Sequence, residues 1–82
     1  MTSTAALINF DRELDVRGQS CPLPIISARK ALDALTVGQV LKVRTTDKGS
    51  TTDFPAFVQQ TALALDAFAE VDGEYHFYIR KP

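Results

Sequence analysis

Gly18-Gln19-Ser20-Cys21-Pro22-Leu23-Pro24 separates two kinds of periodicity, and the change across it decides how the chain folds. Upstream, Phe10, Arg12, Leu14 and Val16 fall on one side of an alternating run, with Asp11, Glu13, Asp15 and Arg17 on the other. That period of two predicts a strand over residues 11–17, with Leu14 and Val16 turned inward. Downstream, Ile25, Ala28, Leu32 and Leu35 recur at helical spacing while Ser27, Lys30 and Asp33 point away, which predicts a helix over 22–35. Gly18 breaks the strand. Pro22 suits the first helical position, where no amide partner is needed. Cys21 would then be the N-cap.

Working towards the C-terminus, Thr36-Val37-Gly38 stops the helix, and Val40 to Thr45 is β-branched and alternating. Leu41 and Val43 are expected to face a core, Lys42 and Arg44 to face water. Asp47-Lys48-Gly49-Ser50 is a loop by composition. Thr52 or Asp53 can cap a second helix, with Pro55 in its first turn and an end near residue 61. A strand over 63–71 follows from the alternation of Leu63, Leu65, Ala67, Ala69 and Val71. Asp72-Gly73 is a two-residue hairpin signal. The last strand, Tyr75 to Arg80, turns Tyr75, Phe77 and Ile79 to one face. The expected order is β-α-β-α-β-β, an α/β (α+β two-layer) sandwich with two helices on one face of a mixed four-stranded sheet. Phe54, Phe57, Phe68 and Phe77 are the expected aromatic core. Residues 1–9 read as a flexible polar lead-in, and 10–82 as a single domain.

The 82 residues suffice for one small domain with a modest core, not for a deep cleft plus a cofactor site. That favours a carrier, an adaptor or a regulator over a self-sufficient enzyme. A net charge of −1 gives no general attraction to phosphates, so no direct nucleic-acid partner is expected. A single cysteine cannot form an internal disulfide. The opening MTSTAALINF lacks a basic start and a long apolar run, so no signal peptide is expected; no membrane span is expected either. The default is the cytoplasm, whose reducing chemistry keeps a thiol free.

The chemistry then centres on Cys21. The thiolate is the nucleophile in sulfur chemistry, and a helix N-terminus favours the anion. Pro22 and Pro24 withhold two amide donors from that first turn, leaving Leu23 and Ile25. In return they stiffen the turn, and Pro22 pushes Cys21 towards extended geometry. The expected result is a protruding, pre-oriented sulfur. A lone cysteine is otherwise a small buried hydrophobe.

These residues resemble a family. Leu14-Asp15 leading through Gly18 to Cys21-Pro22-Leu23-Pro24 and Arg29-Lys30 is similar to the TusA (SirA-like) sulfur carriers, whose hallmark is Cys-Pro-x-Pro at the start of the first helix. Asp53-Phe54-Pro55 and the terminal Tyr78-Ile79-Arg80-Lys81 match as well, so the likeness spans about residues 12–81. Members often have Asp-Pro where this chain has Asp47-Lys48, and Gly-His near Thr61-Ala62. The resemblance implies a two-layer sandwich like the C-terminal domain of translation initiation factor three. It implies that Cys21 takes up sulfane sulfur as a persulfide and hands it to a partner's cysteine. The donor would be a cysteine desulfurase or a rhodanese-like protein, the acceptor a thiol protein. Transfer RNA thiolation, molybdenum-cofactor biosynthesis and sulfur oxidation are such relays. No cofactor is implied. The alternatives are a non-catalytic regulatory interaction module, in which the thiol is incidental, and a thiol redox sensor.

Around the sulfur, Gly18, Pro22 and Pro24 are the supporting residues. Arg17, Arg29 and Lys30 are candidate contacts for an anion or an acidic partner surface, with Arg17 nearest in sequence. His76, the only histidine, is expected on the strand face opposite Tyr75 and Phe77, exposed and without a catalytic role. One cysteine and one histidine cannot build a zinc site, and Asp15, Asp47 and Asp53 lack ligand spacing, so no metal is expected.

Overall fold

The computed structural model describes residues 9–20 and 22–82. Six elements follow one another: β1 (Arg12–Asp15), α1 (Leu23–Asp33), β2 (Val40–Thr45), α2 (Ser50–Gln60), β3 (Ala64–Val71) and β4 (Glu74–Arg80). The order is the expected β-α-β-α-β-β. The strands lie in the sequence β1-β2-β4-β3, with β1 parallel to β2 and β4 antiparallel to both β2 and β3.

Alternation puts Leu41 and Val43 opposite Ile79 and Phe77 on one face. Both helices pack there: Ala28, Leu32 and Phe54 join Leu41, Val43, Phe77 and Ile79 in one buried cluster. Phe54 stacks on Phe77 with centroids 4.7 Å apart and meets Phe57 edge to face. Such aromatic pairs add to simple area burial. The helices carry apolar residues on one stripe, so each can bury only that stripe, and the sheet supplies the second layer.

The hairpin forms as the sequence implies. Asp72 and Gly73 take φ of 51° and 79°, and Val71 pairs directly with Glu74. Two successive positive φ values are the geometry of a type I′ turn, whose twist matches the flanking strands.

Four details differ from the sequence reading. First, α2 starts earlier, at Ser50 behind a Gly49 N-cap, so Asp53 lies in its first turn and caps nothing, while Pro55 lies inside the helix. The early start comes from the β2–α2 turn, where the Ser50 amide donates to the Asp47 carbonyl at 3.0 Å and the Asp53 amide to Gly49 at 3.0 Å. Second, α1 begins one residue late, with Pro22 as N-cap. Third, β3 does not keep strict alternation. Leu65 faces Ile79 but Ala67 faces Tyr78, so Asp66 is an extra residue. This bulge moves Ala67 and Ala69 to the helix-free face and brings Phe68 opposite Phe77. Phe68 therefore reaches Phe77 and Tyr75, yet it sits on an edge strand and stays 47% exposed instead of joining the core.

The fourth concerns the helix-free face, which is more closed than alternation suggests. Tyr78 is fully buried there, under the Phe10 ring and beside Lys42, whose Nζ is 5.7 Å from the tyrosine centroid. His76 is 8% exposed and lies 3.0 Å from the Glu74 carboxylate. The surface histidine of the sequence reading is a packed one, because Arg44 and Glu74 lie over the same face.

Candidate functional site

The sheet topology sends the β1–α1 turn, the β2–α2 turn and the β3–β4 hairpin to one end of the molecule. The first carries the Cys-Pro-Leu-Pro segment. Cys21, and with it the expected protrusion of its sulfur, lies outside the described residues. Its neighbours are well defined. Val16 is buried and its amide continues the ladder to the Arg44 carbonyl at 2.9 Å. Gly18 then takes φ of +82°, a conformation that L side chains rarely adopt. On the other side the Leu23 amide closes a turn onto the Ser20 carbonyl at 3.0 Å, and the Ile26 amide makes a helical bond to Pro22 at 3.2 Å. The Leu23 donor is thus already used. Pro24 occupies the second helical position, where a missing N–H costs nothing, and its ring is buried. Pro22 and Leu23 are exposed, and Ile26 follows on the outer face of α1; Leu23 and Ile26 are 51% and 47% exposed. Pro22, Leu23 and Ile26 therefore offer an exposed apolar surface at the start of α1.

The three candidate cations are in different surroundings. Arg17 folds back onto carboxylates: its Nε and Nη2 donate to Asp15 at 2.8 and 2.7 Å, and its Nη1 to Glu74 at 3.2 Å. Glu74 is a hub, accepting also from Arg44 at 2.9 Å and meeting His76. Arg29 lies further along α1, its guanidinium 5.8 Å from the Phe57 centroid. It lines a cavity of about 320 Å³ between α1 and the end of α2, with Leu32, Phe57, Leu63 and Lys81. That cavity is at the end of α1 remote from Cys21, where Lys81 donates to the Leu32 and Leu35 carbonyls. Lys30 is exposed in the last turn of α1, where a cation suits the helix dipole. Arg17 is thus held by the carboxylates of Asp15 and Glu74 and Gly18 by Thr46, whereas Arg29 and Lys30 lie further along α1. Sequence reasoning missed Thr46, whose hydroxyl accepts from the Gly18 amide at 2.9 Å, and Glu74. Neither has a local signal. Their roles arise from 28 and 57 residues of sequence separation closed by the sheet.

The charge cluster has a pH signature. The Arg17 guanidinium holds the Asp15 carboxyl down at about 2, below its ordinary 3.8. His76, then Arg44 and Arg17, hold Glu74 at about 2, below its ordinary 4.5. Both carboxyls are more acidic folded than unfolded. Their contribution is therefore complete above about pH 4.5 and is lost as pH falls towards 2. Urea midpoints measured across that window should fall with pH. The Asp15→Asn/Glu74→Gln double variant should show a visibly shallower decline, and an equal slope would remove these pairs as the cause. Added salt should weaken the difference, since the groups are near solvent.

Among the described residues no group of histidine, cysteine and acidic side chains is arranged to hold a metal ion. No helix among them is long and apolar enough to cross a membrane.

Comparison with known proteins agrees with this architecture. The chain matches the family described as Sulfurtransferase TusA over residues 12–81. It is 49% identical over 75 residues to the sulfur carrier protein TusA of Allochromatium vinosum, covering 92% of this chain and 99% of that one. It is 37% identical over 71 residues to the sulfur carrier protein TusA of Pseudomonas entomophila, covering 87% and 89%. The crystal structure of a SirA-like protein from Desulfitobacterium hafniense superposes with a TM-score of 0.76 at 26% identity, over 85% of this chain and 96% of that one. With the family model covering residues 12–81 and a relative 49% identical over 92% of the chain, this chain belongs to the TusA sulfurtransferase family.

Proposed function

We propose that this protein is a sulfur carrier that accepts sulfane sulfur as a persulfide on Cys21 and passes it to a thiol on a partner protein. The observation that carries the reading is the single cysteine at a proline-stiffened strand-to-helix turn, in a chain nearly half identical to a sulfur carrier over almost its whole length. In the first step the Cys21 thiolate attacks the outer sulfur of a donor persulfide. A new S–S bond forms at Cys21, the donor S–S bond breaks, and the donor thiolate leaves. In the second step an acceptor thiolate attacks the outer sulfur now on Cys21, and Cys21 leaves as thiolate. The sulfur keeps its oxidation level, so neither step needs an external oxidant.

Leaving and attacking ability both depend on thiol pKa, so a mildly acidified thiol suits a carrier that must perform both steps. Exposed Leu23 and Ile26 beside the motif suit docking against another protein's surface. The donor fitting this chemistry is a desulfurase or rhodanese-like enzyme. Incubation with a cysteine desulfurase and cysteine, followed by mass spectrometry of the intact chain, should reveal one added sulfur that maps to Cys21 and is released by a thiol. No added sulfur from either donor class removes the proposal.

A further inference from the structure

We propose that the cavity between α1 and the end of α2 is a binding site for a free α-amino acid with an apolar side chain; the inference is independent of the chemistry at Cys21. The cavity measures about 320 Å³, at the small end of the range for small-molecule sites, which limits the occupant to a compact ligand. Its wall has two kinds of surface. Leu32, Phe57 and Leu63 supply the apolar part: Leu32 is buried, and Phe57 and Leu63 are half-buried against the same core. Arg29, Asp33 and Lys81 supply charges of both signs. Among the described residues, no ion pair joins any of these three to a partner.

The charges stay apart for physical reasons. Arg29 and Asp33 are one turn apart on one face of α1, but the cation precedes the anion, the less favourable order for such a pair. The Arg29 guanidinium lies instead over the Phe57 ring, 5.8 Å from its centroid, which holds it against the apolar wall. Asp33 is the last residue of α1, where the helix dipole is negative and a carboxylate is disfavoured. Lys81 is committed to the Leu32 and Leu35 carbonyls, at 3.0 and 2.9 Å. The wall thus presents a guanidinium, a carboxylate one helical turn further on, and an apolar surface beside them. A simple anion would meet Asp33, and a simple cation would meet Arg29 and Lys81. A zwitterion avoids both conflicts. Its carboxylate accepts from the Arg29 fork, its ammonium donates to Asp33, and its apolar side chain covers Phe57 and Leu63.

The test is a titration of the isotope-labelled full chain followed by amide chemical shifts, with L-phenylalanine as the probe. The Arg29, Asp33 and Leu63 amides should shift saturably, with a dissociation constant on the order of 1 mM, as befits so small a ligand. Hydrocinnamate lacks the ammonium and phenethylamine lacks the carboxylate, and each should bind about tenfold more weakly or worse. These two analogues probe both polar contacts on the unmodified chain, without any substitution. Arg29→Gln and Asp33→Asn should each weaken L-phenylalanine by about tenfold while amides away from the cavity keep their positions. Lys30→Gln, at an exposed neighbour outside the cavity, should bind as the unmodified chain does. The absence of saturable shifts up to about 20 mM probe, roughly twentyfold above the expected constant, overturns the inference. So does hydrocinnamate or phenethylamine binding as tightly as L-phenylalanine, or Arg29→Gln and Asp33→Asn binding as the unmodified chain does. A chain that binds the amino acid as described yet never gains sulfur from a donor supports this site and removes only the carrier reading.

Discussion

Cys21→Ser is expected to lose sulfur loading completely. The chain contains no second cysteine that could take over. A serine hydroxyl is not appreciably ionised at neutral pH, and its oxygen does not form the chain of two sulfurs that defines a persulfide. The loss should appear in the intact mass after incubation with donor and in transfer of labelled sulfur to an acceptor thiol. The fold should persist, because serine is nearly isosteric with cysteine, and the melting curve checks this. A variant with an unchanged melting curve and no loading places the chemistry on the sulfur. A Cys21→Ser chain that supports full biological function would instead favour an interaction module in which the turn alone is recognised.

The largest stability effect is expected at Phe54. Its side chain is completely buried, stacked on Phe77 and set edge-on to Phe57. It is the residue through which α2 enters the common core. Phe54→Ala removes the ring and leaves a cavity between α2 and β4 that rigid strands cannot close, at a cost of about 3–5 kcal/mol. Small domains have about 5–15 kcal/mol in total, so this change alone brings the chain close to unfolding. The urea midpoint should fall steeply with little change in slope. A loss below about 1 kcal/mol, the size of an ordinary surface change, would contradict the packing described here. Phe68→Ala is the useful contrast. That ring touches Phe77 and Tyr75 but is half exposed on the edge strand, so its removal should cost clearly less.

The two phenylalanines also mark the boundary of what could be read without coordinates. Both looked like core residues. Phe54 became one because helical spacing aims it at the sheet. Phe68 did not, because the extra residue at Asp66 changes which β3 side chains share a face, and because β3 ends up as an edge strand. Strand order and a bulge depend on which strand is the neighbour, and that information is not local. The α2 boundary is a similar case. Thr52 and Asp53 have cap chemistry, yet the helix starts at Ser50, since the buried Thr45–Ser50 hydroxyl pair sets the preceding turn. His76 looked exposed by alternation, but charged side chains from β2 and β4 close over that face.

Sequence alone determined the six elements, their order, the two-residue hairpin at Asp72-Gly73 and the motif that singles out Cys21, because periodicity, turn dipeptides and proline constraints all act within a few residues. Tertiary structure decided which groups brace the turn before Cys21. Thr46 and Glu74 meet it only once the sheet has brought three loops to one end, and no short-range preference of either residue foretells that meeting.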